Sequence, residues 1–161
     1  SGADFGSDHP LSGIAFQRKL EEAAFVAGGK NFCAPVQLLG DYLNGRCSAR
    51  FVHVRPSFLP GTRFYDLNLL LPKQINDFMK AGMLRFERKI RGFTSPGAVL
   101  TGIETRTSAP VRILRNENLE SVSVRGLFPA GEGAGYAGGI MSAAADGVRI
   151  AHQIMKTYQP F

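Results

Sequence analysis

The sequence predicts an α+β fold: a mainly helical, cap-like segment over residues 1–91, then short strands, a glycine-rich loop and a final helix over 92–161. Three observations carry this. Apolar residues recur at helical spacing through the first half, the apolar period shortens to two after Gly97, and the last helical pattern follows six glycines between Gly126 and Gly139. With 161 residues, 44% of them hydrophobic, the chain is long enough to bury a core.

In SGIAFQRKLEEAAFVAGG, Phe16, Leu20, Ala23, Ala24 and Ala27 fall at helical spacing, with Arg18, Lys19, Glu21 and Glu22 between them. Gly28 and Gly29 supply the stop. A second, shorter helix is predicted over 35–44, with Pro35 at its start, Val36, Leu39 and Leu43 on one face, and Gly45 as its C-terminal glycine. The two helices are expected to pair antiparallel. Residues 51–72 carry three prolines and a glycine among apolar residues, which predicts an extended, turn-rich connection. A helix returns from Leu71 through Ile75, Phe78 and Met79 and resumes through Leu84, Phe86 and Ile90. A break is expected between them at Gly82, since glycine costs about 1 kcal/mol against alanine inside a helix.

After the turn residues of 91–97, two strands are predicted over 98–105 and 110–114 as neighbours in a sheet. A further strand over 122–124 and 126–130 is expected to run directly into the glycine loop. The closing helix, 140–158, has an apolar stripe of Ile140, Ala143, Ala144, Val148, Ala151 and Ile154, small enough to lie close against a sheet.

Charge and composition narrow the function classes. No apolar run reaches the roughly 20 residues of a membrane-spanning helix. The start, Ser-Gly-Ala-Asp without an initiator Met, shows neither signal nor transit peptide and predicts a piece of a longer protein or a residue left by a tag. Cys33 and Cys47 fall short of a disulfide framework and lack CxxC spacing, so reduced thiols and a cytoplasmic location are expected. The net charge is +6, with 14 Lys or Arg against 6 Asp or Glu between Arg46 and Arg125. These are scattered singly; a solvated face or a surface toward the rest of the protein is expected ahead of a nucleic-acid interface. His9, His53 and His152 are far apart and near no acidic or cysteine cluster, so no metal site is expected.

The glycine loop bears the chemistry. Gly133-Ala134-Gly135-Tyr136-Ala137-Gly138 matches the dinucleotide pattern GxGxxG between a predicted strand and a helix. Glycines let a phosphate approach the backbone, and free amides at a helix start favour an anion. An opening nucleotide fingerprint, however, needs a second strand and an acid about 20 residues on. Only 28 residues follow Gly133 and they read as one helix. The loop fits instead the late glycine site of flavoproteins with two dinucleotide folds, where a strand ends in Gly-Glu, here Gly131-Glu132, before a final helix. A carboxylate there accepts hydrogen bonds from ribityl hydroxyls, and the helix amides face the pyrophosphate or the flavin edge that becomes negative on reduction. The plain alternative is a tight strand-to-helix turn.

GLFPAGEGAGYAGGIMSAAADGVRIA from Gly126 and LTGIETRTSAPVRILRN from Leu100, with FQRKLEEAAFVAGG and APVQLLGDYL more loosely, resemble the C-terminal part of bacterial FAD-dependent, or NAD(FAD)-utilising, dehydrogenases. The resemblance implies a partial, Rossmann-like FAD domain of an oxidoreductase of roughly three times this length, with FAD bound in the whole protein and NAD(P)H as a candidate reductant. It puts Gly131, Glu132, Gly133, Gly135, Tyr136, Ala137, Gly138, Gly139 and Ile140 at the cofactor, and leaves the family's N-terminal FAD fingerprint outside the chain. The fragment is therefore expected to be inactive alone and to bind FAD weakly or not at all. Its partners would be the remainder of its own FAD domain and a small-molecule substrate. Exposed strand edges and the apolar helix face favour self-association or disorder of the last third.

Arg106 and Arg112 are candidates for the flavin edge or an anionic substrate, with a salt bridge to Glu104 or a surface position as the alternative. Thr105, Thr107 and Ser108 are further candidate donors. Two other classes stay open on sequence alone: an autonomous nucleotide- or phosphate-binding module and a basic nucleic-acid- or partner-binding domain.

Overall fold

The structure, a computed structural model, describes residues 5–106 and 108–158. It is a mixed α+β chain with an open three-stranded sheet. Two compact units form, one from Arg18–Glu104 and one from Ser1–Gln17 with Thr105–Phe161.

The Arg18–Glu104 unit holds the sheet. Helix α1 (Ser12–Gly28) contributes its later turns and ends at the predicted glycines, with Gly29 in the left-handed region at φ 103°. Strand β1 (Ala34–Leu38) is central and buried at all five positions; β2 (Thr62–Phe64) lies parallel on one side and β3 (Val99–Thr101) antiparallel on the other. This corrects the helix expected over 35–44: the chain is strand up to Leu38 and helical only in the short α2 (Leu39–Leu43). Spacing over so few residues fits both periods, and a segment enclosed on both faces has no polar side to reveal which one holds. Strand β2 arises inside the proline-rich segment, where the sequence predicts an extended, turn-rich connection and no paired strand.

Pro35 sits in the central strand because its missing donor falls at the end of a ladder. The Ala34 amide donates to the Gly61 carbonyl (3.0 Å) and the Val36 carbonyl accepts from Tyr65 (3.0 Å), so residues 34 and 36 face β2. The Pro35 carbonyl accepts from Gly102 (2.9 Å), one residue beyond β3. The ring thus removes only the last rung of the antiparallel pairing.

The core gathers Ala27, Leu39, Tyr42, Leu67 and Leu70. Its polar groups are matched. The Tyr42 hydroxyl donates to Asn76 Oδ1 (2.8 Å), and Asn76 Nδ2 donates to the carbonyls of Asn68 (2.9 Å) and Leu71 (3.0 Å). Gln37, fully buried, donates to the Arg46 carbonyl (2.8 Å) and Asp66 Oδ1 (3.1 Å) and accepts from the Leu67 amide (2.8 Å). Burying amides is tolerable only with this degree of pairing. Helix α3 (Lys73–Glu87) runs unbroken through Gly82, against the expected interruption. A glycine penalty of about 1 kcal/mol is small beside the packing of Met83 on the core and the Asn76 anchor. Beyond α3 the Glu87 carboxylate accepts from the Gly92 and Thr94 amides (2.9 and 2.7 Å) and the Thr94 hydroxyl (2.9 Å), which closes the predicted loop and holds its pKa below the usual carboxylate value.

In the other unit, the strands expected over 110–114, 122–124 and 126–130 do not form; Arg115 and Ser121 make one isolated antiparallel bridge. Around the first of these, amides turn to the glycine loop instead: Ile113 donates to the Ala134 carbonyl (3.1 Å) and Arg115 to the Tyr136 hydroxyl (3.1 Å). The final helix α4 (Ile140–Thr157) forms as predicted, but its predicted stripe is largely open. Asp146 and Ile150 are buried, while Ile140 is 89% and Val148 56% exposed.

Candidate functional site

The glycine loop is built around one buried ion pair. Arg115 meets Asp146 in bidentate fashion, Nη1 to Oδ2 at 2.9 Å and Nη2 to Oδ1 at 2.7 Å, with both side chains under a tenth exposed. Nη1 also donates to the Pro129 carbonyl (2.8 Å), and Asp146 Oδ2 accepts the Gly131 amide (2.9 Å). The Arg115 hydrogen bonds, opposed by burial and assisted by the Gly131 amide, hold the Asp146 pKa down to about 2. The same hydrogen bonds raise that of Arg115.

Tyr136 ties down the middle of the loop. Its hydroxyl donates to the Ile113 carbonyl (3.1 Å), and the guanidinium carbons of Arg115 and Arg112 lie 3.6 and 5.0 Å from its ring centre. Stacking of this kind is worth about 0.5–1 kcal/mol at exposed sites and more where water is excluded. Arg112 Nε donates to the Gly135 carbonyl (2.9 Å). Gly135 is obligatory: at φ 83°, a Cβ there would stand 2.5 Å from the Val111 carbonyl oxygen. The amides of Gly135 and Tyr136 turn back onto the carbonyls of Glu132 and Gly131 (both 2.9 Å).

The other half of the loop is open. Among the described residues, the amides of 137–140 have no hydrogen-bond acceptor, and the half-buried Glu132 carboxylate has no hydrogen-bond or ionic partner. A Cβ at Gly133 would meet nothing within 4 Å, and one at Gly138 would stand 3.5 Å from the Ser108 hydroxyl. These residues lie where α4 begins, so the open amides carry its positive dipole end. Such an arrangement accepts an anion.

The predicted residues are distributed unevenly around this loop. Arg112 is attached to it. Arg106 is exposed and has an interaction partner of its own, the Thr105 carbonyl accepts from Gln17 Nε2 (2.6 Å), and Thr107 lies outside the described residues. Both cysteines are free; Cys33 is half-buried, with its thiol donating to the Pro60 carbonyl (3.3 Å). Among the described residues no group of three His, Cys, Asp or Glu side chains could hold a metal ion, and no helix is long and apolar enough to cross a membrane. Arg115 and Asp146 escape the sequence reading. The available signal is a lone acid in the otherwise apolar run of α4, on the face opposite the predicted stripe.

The family model for the FAD-dependent protein, C-terminal domain-like family matches residues 1–107. The chain belongs to this family. An uncharacterised protein of Clostridium beijerinckii (strain ATCC 51743 / NCIMB 8052) is 49% identical over 158 residues, covering 98% of this chain and 30% of the relative. The chain thus spans under a third of that relative's length. The glycine loop lies beyond the part matched by the family model but within the stretch shared with the relative. Membership of the FAD-dependent C-terminal family associates the chain with FAD, whose phosphates and reduced flavin edge are anionic. Residues 137–140 would supply amides and Glu132 an acceptor.

Proposed function

We propose that the chain is the C-terminal part of an FAD-dependent oxidoreductase, and that the segment from Gly131 to Ile140 makes its second, flavin-side contact. One observation carries the reading: the loop is immobilised on one side by Asp146, Arg115 and Tyr136, and leaves the 137–140 amides and the Glu132 carboxylate unused on the other. Glu132 accepts ribityl hydroxyls, and the amides at the start of α4 face the pyrophosphate or the N1 and C2 carbonyl edge of the flavin. Arg112 adds positive charge beside Gly135, suited to an anionic substrate or the flavin edge.

FAD, when bound, supplies hydride transfer between a small-molecule substrate and a nicotinamide dinucleotide. The remainder of a Rossmann-like FAD domain supplies the ADP-side contacts, and the protein works in the cytoplasm. The test is the full-length protein. It should purify yellow, and Glu132→Ala should weaken retention of FAD while leaving the fold intact. A colourless full-length protein that takes up no added FAD would sink the reading.

A further inference from the structure

Asp146 is the buried charge that a flavin contact does not itself require. It lies 15 residues beyond Gly131 yet accepts that glycine's amide, and its partner Arg115 reaches the loop at Pro129 and Tyr136. Burying an ion pair confers little net stability against an apolar replacement of the same volume, because desolvation offsets most of the attraction. What a bidentate, fully hydrogen-bonded pair does confer is one arrangement of whatever it holds. Here it holds five glycines' worth of freedom: Gly131, Gly133, Gly135, Gly138 and Gly139 fall within nine residues. Unrestrained, such a segment populates many conformations, and a ligand's apparent affinity falls by the fraction that is competent to bind.

We propose that Arg115 and Asp146 are positioning residues for the FAD contact, fixing the loop at Gly131 and Tyr136 so that the 137–140 amides are presented in a single binding-competent arrangement. This rests on the flavin reading above. Neither residue needs to touch the cofactor. Tyr136 works with them as the strut under the loop, through its hydroxyl and the guanidinium groups over its ring.

The experiment uses the full-length protein with Asp146→Asn, and separately with the volume-preserving pair Arg115→Met and Asp146→Leu. FAD affinity is followed by quenching of flavin fluorescence, the flavin midpoint potential by reductive titration, and folding by the melting temperature of the FAD-free form. The expected result is FAD binding weakened on the order of tenfold or more, with the potential moved negative because the amides no longer meet the reduced flavin's charge. The doubly apolar variant should melt close to the parent and still bind FAD poorly. A folded variant with parental affinity and potential would overturn the positioning role alone. Variants that do not fold at all would also overturn it, by making the pair a stability element. A parent protein that binds no FAD would instead overturn the flavin reading itself.

Discussion

At the scale of single residues, Asp146 is the group whose chemistry can be read from outside. Its folded pKa, about 2, lies below the ordinary 3.8, so the charged form is favoured by folding. That contribution is fully present above pH 4 and is lost as pH falls from about 4 to about 2, where the carboxylate protonates in both states. It is worth about 2 kcal/mol for this buried group. Chemical denaturation of the chain across that window should show the parent losing more stability than Asp146→Asn; equal slopes would remove Asp146 as the source. In sequence, Asp146 resembles any polar interruption of an apolar helix. Its partner lies 31 positions away, just past the strand predicted over 110–114, so only the folded contact reveals the pair.

At the scale of elements, glycines that look alike in the sequence act differently. Gly82 in α3 has open space where a side chain would go, and its helical backbone suits any residue. Gly82→Ala should therefore raise stability by about 1 kcal/mol, readable as a higher denaturation midpoint. Gly28 at the end of α1 is the reverse: a Cβ would collide with the backbone carbonyl of Cys33, which cannot rotate away. Gly28→Ala should cost about 1–3 kcal/mol by forcing α1 off β1, and a neutral result would contradict that close approach. The two long helices were legible because each repeats its period over 17 or 18 residues. The strands are three to five residues long and depend on distant partners, which is why β1 reads as a helix and β2 as part of an extended, turn-rich connection.

At the scale of the whole molecule, the exposed apolar residues bear on what the chain does alone. Leu59 is 98% exposed, Ile140 89% and Met141 81%, in a chain that spans 30% of its relative's length. A lone exposed side chain such as Leu59 is ordinary, whereas adjoining ones such as Ile140 and Met141 at the start of α4 suit a surface that meets another. An FAD contact limited to one loop leaves most of the cofactor unsupported, and small ligands depend on burial of most of their surface. On the proposed reading, the isolated 161-residue chain should therefore lose added FAD on desalting, whereas the full-length protein should keep it. A yellow isolated chain after desalting would show that the loop binds FAD without the remainder.

What the sequence determined by itself was local: the two long helices, the glycine-rich segment before the last of them, and the resemblance to FAD-dependent proteins that the family match supports. Periodicity and glycine placement act over neighbouring residues, so they are visible without the fold. Tertiary structure alone decided that residues 34–38 are the centre of a sheet, that 110–114 serves the glycine loop in place of a ladder, and that α4 turns Asp146 inward. Each of those outcomes depends on a hydrogen-bond partner many positions away, and a donor's choice of acceptor is made only when the chain closes on itself.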